Sequence, residues 1–359
     1  MTYEEILAQE PFGLPQRQKE ELLGRRLLEL TRYHQERCSS YRNILTGLGW
    51  QEQEGAGLEA LPFLPVRLFK ELELASVAGE DIFKVVTSSG TSGQAVSRIF
   101  LDRRTAANQQ KTLARIVSSF TGVSRMPMLI LDSPAVLKNR AMFSARGAGI
   151  LGFSMFGKKR LYALDDEMDL QIEDIRAFLK EHEGERILIF GFTFMVWQHL
   201  YQALKQRGET LDLSKGILIH GGGWKKLTQE AVSPEVFKES LRQVCGLTEV
   251  HDYYGMAEQT GCIYMECEAG HLHASSYSDI LLRRGKDFSP CEIGERGILQ
   301  VLSALPESYP GHSLLTEDEG TLLGIDDCPC GRKGKYFVVH GRLKNAEIRG
   351  CSDTYAAGF

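Results

Sequence analysis

A run of small hydroxyl and glycine residues lies near residue 90, between two short β-prone stretches. Its members are Thr87, Ser88, Ser89, Gly90, Thr91, Ser92 and Gly93. Glycines let backbone N–H groups approach a ligand closely, and Ser and Thr hydroxyls add further donors. The composition is typical of a loop that binds phosphate groups, and, taken alone, is more often that of a plain hairpin connection. It is not a Walker loop, because no Gly-Lys-Ser/Thr follows at the required spacing.

A second group of residues able to contact a nucleotide lies further along the chain. Tyr254 precedes a glycine, and Glu258 follows four residues later. An aromatic ring and a carboxylate at this spacing suit the stacking of a base and the binding of a divalent cation. A strand end with a surface glutamate is the plainer alternative. Asp318, in a Thr-Glu-Asp segment, adds a hydrogen-bond acceptor. Arg342, in a Gly-Arg-Leu-Lys segment, adds a positive charge.

Cysteine and histidine side chains gather between residues 262 and 330. The ligand set that we predict is Cys267, His273, Cys328 and Cys330, and Cys262 or His271 are alternatives for one of them. Zinc prefers four such ligands in a tetrahedron, and a site with four protein ligands is structural because no position stays open. Reduced cysteines without a metal are the alternative interpretation.

Composition bounds the class of protein. The chain has 359 residues, 43% hydrophobic and 25% charged, with a net charge of −5, which argues against a nucleic-acid partner. No apolar run is long enough for a membrane helix, and the acidic N-terminus does not resemble a signal peptide. Eight cysteines at irregular spacing indicate reduced thiols. We therefore expect a cytoplasmic globular protein.

Helices and strands alternate through the first two thirds of the sequence. Apolar periodicity predicts helices over 15–47, 103–120, 170–182 and 234–244, and strands over 126–131, 186–191 and 215–220. This alternation predicts a mainly parallel sheet covered by helices on both faces. Gly221, Gly222 and Gly223 follow the third of these strands, at the edge where such sheets bind ligands. A Rossmann oxidoreductase is disfavoured, since no Gly-x-Gly-x-x-Gly opens a helix.

After residue 246 the strands become shorter and the turns more frequent. We expect an α/β core with an N-terminal helical segment over 1–245 and a β-rich subdomain with the Cys/His cluster over 246–340. Residues 341–359 would form a hinge remnant and a C-terminal tail.

The order of these segments resembles the adenylate-forming superfamily, specifically its phenylacetate–CoA-ligase-like branch and the acyl-protein synthetases of bacterial bioluminescence operons. The resemblance extends from about Leu61 to Cys351. It implies an α/β fold in which parallel and mixed sheets are covered by helices and joined by a smaller β-rich subdomain. The C-terminal lid domain of the superfamily would be missing or reduced to a tail.

The resemblance also implies a role for each residue. The loop from Thr87 to Gly93 would hold the ATP phosphates, the glycines 221–223 would flank the adenine, and Tyr254 would stack on it. Glu258 would bind Mg²⁺, Asp318 the ribose hydroxyls, and Arg342 would lie near ribose and phosphate. A carboxylic acid, expected to be a fatty acid, would then be activated to an acyl-adenylate.

The sequence departs from the superfamily pattern in two places: directly after the phosphate loop, and after Arg342. The Pro-Lys that commonly follows the phosphate loop is absent, and Val96, Ser97 and Arg98 occupy that region. Only seventeen residues follow Arg342, too few for a lid domain with its catalytic lysine.

The tail offers a different acyl acceptor, Cys351, which matches the cysteine that carries the acyl group as a thioester in acyl-protein synthetases. Arg349 nearby would favour the thiolate, although an ordinary buried cysteine is the alternative. The resemblance further implies a partner enzyme of the acyl-CoA-reductase type. Transfer of the acyl group to CoA or a carrier protein, and a non-catalytic nucleotide-binding scaffold, are the competing interpretations.

Overall fold

The computed structural model describes residues 3–88 except 54 and 56, and residues 96–138, 145–224 and 229–343. They form two compact units. The first unit comprises the described residues of 3–88, 96–117 and 255–343, and the second those of 118–254. The boundaries predicted from the sequence, at 245 and 340, stay a prediction.

Helices precede and connect the strands. In chain order they are α1 (Tyr3–Leu7), α2 (Gln16–Arg37), α3 (Ser39–Gly47), α4 (Leu68–Glu71), α5 (Arg103–Thr121), α6 (Ala135–Lys138), α7 (Ala145–Phe153), α8 (Ile172–Glu181), α9 (Thr193–Met195), α10 (Ala203–Arg207) and α11 (Pro234–Cys245). A π-helical segment, Val196–Gln202, joins α9 to α10. None of the helices within the described ranges is both long and apolar enough to cross a membrane.

A parallel sheet organises the second unit. Its strands are β4 (Met126–Ile130), β5 (Gly157–Tyr162), β6 (Ile187–Phe192), β7 (Gly216–Gly221) and β8 (Glu249–Tyr254). They follow the order β8-β7-β6-β4-β5, and every neighbouring pair is parallel. Strands β4, β6 and β7 are buried along their whole length, as expected for a sheet covered on both faces.

The first unit is mainly antiparallel. Its strands are β1 (Leu64–Pro65), β2 (Lys84–Thr87), β3 (Arg98–Leu101), β9 (Tyr264–Glu266), β10 (Leu272–His273), β11 (Ser278–Arg283), β12 (Arg296–Ser303), β13 (Ser313–Ile325) and β14 (Lys335–Arg342). The order β11-β12-β13-β14-β10-β9 is antiparallel throughout, and β1 adds to β13 in parallel. Strands β2 and β3 form a separate hairpin.

The predicted α/β fold class is confirmed, and two local predictions need correction. The helix predicted over 15–47 is interrupted at Cys38, whose extended backbone (φ −113°, ψ 105°) separates α2 from α3. Strand β5 was not predicted as a strand. It lies at the edge of the parallel sheet and three of its residues are exposed, so its sequence carries charges instead of an apolar run.

Two histidines lie in the core of the first unit. The rings of His34 and His312 stack with centroids 5.1 Å apart. Nδ1 of His34 lies 2.8 Å from Oγ of Ser76, and Nε2 lies 3.1 Å from the carbonyl oxygen of Pro306. Burial lowers the pKa of His34 to about 3 and the pKa of His312 well below its usual value. Both imidazoles are therefore neutral in the folded protein at neutral pH.

We expect this histidine pair to make the fold sensitive to acid. An unfolded histidine has a pKa of about 6.5, so below that pH the unfolded chain binds a proton that His34 in the fold does not. Stability is then lost as the pH falls from 6.5 towards the folded pKa, by about 2 kcal/mol from His34 at pH 5. Urea unfolding at pH 7, 6 and 5 measures the slope of the free energy of unfolding against pH. In His34→Gln this slope should correspond to about one proton fewer taken up on unfolding. An unchanged slope in the variant would show that His34 is protonated in the fold.

Candidate functional site

The β2–β3 hairpin places the beginning of the predicted phosphate loop. Thr87 pairs with Arg98 at the end of the hairpin. The hydroxyl oxygen of Ser88 accepts a hydrogen bond from the backbone N–H of Ser97 at 2.9 Å. The predicted loop residues Ser89, Gly90, Thr91, Ser92 and Gly93 lie outside the described residues, as does Cys351. The two β-prone stretches predicted on either side of the loop do form strands, while the phosphate role stays a prediction.

The glycine run ends β7 at the carboxyl edge of the parallel sheet. Gly221 is opposite Tyr253 of β8, and a Cβ atom at Gly221 would lie 2.5 Å from Cε1 of that ring. Gly222 has a φ of +76°, which favours glycine. A Cβ at Gly223 would meet no atom of the described residues within 4 Å. The three glycines therefore differ: Gly221 admits the Tyr253 ring, Gly222 turns the chain, and Gly223 has no described atom close to its Cβ position.

We expect Gly221→Ala to destabilise the protein by roughly 1–3 kcal/mol, because the added methyl group overlaps the Tyr253 ring. Gly223→Ala is the matched control and should leave the free energy of unfolding nearly unchanged. Chemical denaturation of the two variants measures the difference. Equal effects would mean that the ring of Tyr253 moves aside without cost.

Tyr254 and His220 complete this edge of the second unit. Tyr254 is the half-buried last residue of β8. His220 is buried, with Nδ1 3.0 Å from Oγ1 of Thr193 and 3.6 Å from Oδ1 of Asp252. Burial lowers the pKa of His220 to about 3, so its imidazole is neutral. A role for His220 as a charged ligand contact is therefore disfavoured.

Asp318 and Arg342 are brought together by the β13–β14 hairpin. They are opposite each other in the register, and Nε of Arg342 lies 3.8 Å from Oδ1 of Asp318. Thr316 positions this end of β13, since its hydroxyl donates to the carbonyl oxygen of Leu299 at 2.8 Å and its oxygen accepts from the backbone N–H of Asp318 at 3.1 Å. The arrangement holds an acceptor and a permanent cation side by side.

Glu258 lies in a short 3₁₀ turn, Ala257–Gln259, and its side chain is nearly buried at 3% exposure. The turn is held from two sides. The hydroxyl of Tyr309 donates to the carbonyl oxygen of Glu258 at 2.8 Å. The amide of Gln259 donates to the carbonyl oxygens of Val301 and Gly311 at 3.2 and 2.8 Å. Sequence reasoning missed Gln259 and Tyr309, since their role depends on contacts with residues far along the chain.

The Cys/His cluster lies at two turns of the first unit. Sγ of Cys267 is 3.8 Å from Sγ of Cys328, and Sγ of Cys330 is 3.4 Å from Nε2 of His273. Nδ1 of the alternative candidate His271 is 3.3 Å from Sγ of Cys328. Cys262, the other alternative, is buried elsewhere, with its thiol 3.7 Å from the carbonyl oxygen of Tyr277. Burial lowers the pKa of His273 to about 4, so this imidazole is neutral.

The fold is shared with 2-hydroxyisobutyryl-CoA ligase. An open conformation of that enzyme, solved with 2-HIB-AMP and CoA, matches with a TM-score of 0.70 at 18% identity, covering 94% of this chain and 77% of the other. The same enzyme in the thioesterification state matches equally, with a TM-score of 0.70 at 17% identity, and covers 94% and 70% of the two chains. The fold is therefore that of the adenylate-forming ligases.

Sequence comparison narrows this class to one family. The family model described as acyl-protein synthetase, LuxE, matches residues 2–359, and the chain belongs to this family. Two long-chain-fatty-acid–luciferin-component ligases are each 22% identical to it. The Vibrio harveyi protein covers 97% of this chain and 92% of its own length, and the Aliivibrio fischeri protein 93% and 88%. The protein is an AMP-forming ligase, an enzyme that activates a carboxylic acid through an acyl-adenylate.

Proposed function

We propose that the protein activates a long-chain fatty acid with ATP and transfers the acyl group to Cys351. The observation that carries this proposal is the match over nearly the whole chain to ligases named for long-chain fatty acids, within a family of acyl-protein synthetases. The acyl group would pass from Cys351 to a partner of the acyl-CoA-reductase type, which would reduce the thioester to an aldehyde.

Several described residues carry proposed nucleotide-binding roles. The described residues leave space beside Gly223, and Tyr254 ends the neighbouring strand, which supports the adenine-binding role proposed for these residues and for Gly221 and Gly222. Asp318 offers a carboxylate to the ribose hydroxyls, and Arg342 beside it offers a cation to a phosphate group. Thr87, Ser88 and the loop Ser89, Gly90, Thr91, Ser92 and Gly93 would donate hydrogen bonds to the other phosphates.

Mg²⁺ is the proposed cofactor of this step, and Glu258 is its proposed protein ligand. Magnesium sites of nucleotide enzymes commonly use one or two carboxylates together with substrate phosphates. Glu258 is buried and the backbone of its turn is held by Tyr309 and Gln259, which supports such a role for its carboxylate. When bound, Mg²⁺ would neutralise phosphate charge. A zinc ion at the Cys/His cluster would be structural and would take no part in the reaction.

In the proposed first half-reaction, a carboxylate oxygen of the fatty acid attacks the α-phosphorus of ATP. The bond from that phosphorus to the bridging oxygen breaks, and pyrophosphate leaves with the electron pair. In the second half-reaction, the thiolate of Cys351 attacks the acyl carbon of the adenylate and AMP leaves. The protein contributes positioning and charge neutralisation to the first step and the nucleophile to the second.

Labelling with a radioactive fatty acid in the presence of ATP and Mg²⁺ tests the proposal. We expect a protein-bound label that withstands acid and is released by hydroxylamine, as a thioester is. Label found only in soluble acyl-CoA after CoA is added would favour the CoA-ligase alternative. If the protein releases no pyrophosphate in response to fatty acid, the non-catalytic scaffold is favoured.

A further inference from the structure

Two turns of the first unit bring the four Cys/His side chains together. Cys267 follows β9 directly and His273 ends β10, whereas Cys328 and Cys330 lie in the connection from β13 to β14. The two hairpins are neighbours because β10 pairs with β14, with His273 opposite Tyr336. The cluster therefore joins segments about 60 residues apart in sequence.

The two cysteine turns have the same backbone geometry. The carbonyl oxygen of Cys267 accepts from the N–H of Gly270, and that of Cys328 accepts from the N–H of Gly331, both at 2.9 Å. Each glycine has a positive φ, +79° and +83°. In both turns a cysteine is thus followed three residues later by a glycine that lets the chain reverse. Such paired tight turns present two sulfur atoms towards a common point.

Two of the separations match those of a tetrahedral zinc site. With Zn–S bonds of about 2.3 Å and a Zn–N bond of about 2.0 Å, two sulfurs lie about 3.8 Å apart and a sulfur and a nitrogen about 3.5 Å apart. The observed separations are 3.8 Å between the sulfurs of Cys267 and Cys328, and 3.4 Å from Cys330 to His273. All four ligand atoms lie within 4.8 Å of one another. The sulfurs are too far apart for a disulfide bond, which needs about 2.05 Å.

We infer that Cys267, His273, Cys328 and Cys330 bind one structural Zn²⁺ ion. Three thiolates and one imidazole are a common donor set of closed zinc sites, and soft sulfur donors disfavour Mg²⁺ and Ca²⁺. Three of the four side chains are buried, and the fourth, Cys330, is half-buried. The stacked rings of Tyr336 and His273, with centroids 5.7 Å apart, fix the orientation of the imidazole.

The ion clamps the β9–β10 hairpin to the β13–β14 hairpin. The clamp lies at the turn end of the second hairpin, near Lys335, and Asp318 and Arg342 lie opposite each other further along its strands. The N-terminal segment is tied to the same place, because the N–H of Lys333 donates to the carbonyl oxygen of Phe12 at 2.9 Å. Loss of the ion would therefore loosen the first unit.

Metal analysis of the purified full-length chain tests the inference. We expect one zinc per chain after dialysis, and replacement by Co²⁺ should give the visible absorption of a tetrahedral thiolate site. Chelation of the zinc should lower the melting temperature. Protein produced with zinc that holds none, and that shows no such Co²⁺ spectrum, would overturn the inference even if no variant folds.

Four variants test the ligand set. Cys330→Ser and His273→Ala should lose the zinc, whereas Cys291→Ser, a thiol outside the cluster, and His271→Ala should retain it. Zinc retained in Cys330→Ser and His273→Ala would overturn the assignment. Zinc lost in His271→Ala but kept in His273→Ala would overturn the proposed ligand set in favour of the other histidine.

Discussion

Cys351→Ser is expected to form the acyl-adenylate at the wild-type rate and to lose the acyl-protein completely. A thiolate is a far better nucleophile at neutral pH than a serine hydroxyl, and no base is proposed that would activate the serine. Fatty-acid-dependent exchange of pyrophosphate into ATP reports the first half-reaction. Hydroxylamine-sensitive label on the protein reports the second. The variant separates the two because only the second half-reaction uses Cys351.

The control for this prediction is Cys291→Ser. Cys291 is partly exposed, so its thiol is an accessible competing site. We expect this variant to carry as much label as the wild type. Label retained in Cys351→Ser would show that another residue is the acceptor. Acyl-CoA formed equally well by the wild type and Cys351→Ser would show that CoA is the acceptor.

Glu258→Gln is expected to lower pyrophosphate exchange at least about 100-fold, corresponding to about 2.7 kcal/mol of transition-state stabilisation. The neutral amide keeps the size of the side chain but is a poor magnesium ligand. The measurement is the exchange rate across a series of Mg²⁺ concentrations. A lost ligand should shift the half-maximal concentration upwards, which a purely structural defect would not do.

Glu266→Gln is the matched control, since Glu266 lies in the same unit and is almost as buried, 5% against 3% exposed. It should leave the Mg²⁺ dependence unchanged. If both variants lose activity with unchanged Mg²⁺ dependence, the carboxylate of Glu258 supports the fold and does not bind the metal.

The main elements of the second unit were predictable because their burial pattern is simple. Strands β4, β6 and β7 are apolar runs bounded by polar turns, and helix α11 begins after Ser233, whose hydroxyl accepts from the N–H of Val236, and ends before Gly246 in the left-handed conformation. Strand β5 escaped prediction because an edge strand does not need an apolar sequence. The interruption at Cys38 follows no sequence signal that we recognise.

The pairing of Asp318 with Arg342 was not predictable from the sequence. Two bulges lie between this pair and the turn, at Glu319/Gly320 and at Leu322/Gly324. They shift the register by one residue and then back, so the two side chains recover the alignment that the turn sets. Composition gave the individual residue types, and only the fold gave their contact.

For the metal ligands, too, the sequence indicated the residue types and only the fold showed which of them lie close together. The sequence supplied six candidates, and the ligand atoms of four of them lie within 4.8 Å of one another in the fold. The roles of Ser89, Gly90, Thr91, Ser92, Gly93 and Cys351 stay predictions, because these residues lie outside the described ranges.

The most direct test of the central claim is the exchange of labelled pyrophosphate into ATP by the wild-type protein, with and without a series of carboxylic acids. Adenylation predicts exchange that requires both Mg²⁺ and the acid and that is fastest with long-chain fatty acids. Fatty-acid-independent exchange, or ATP cleaved to ADP and phosphate, would contradict it.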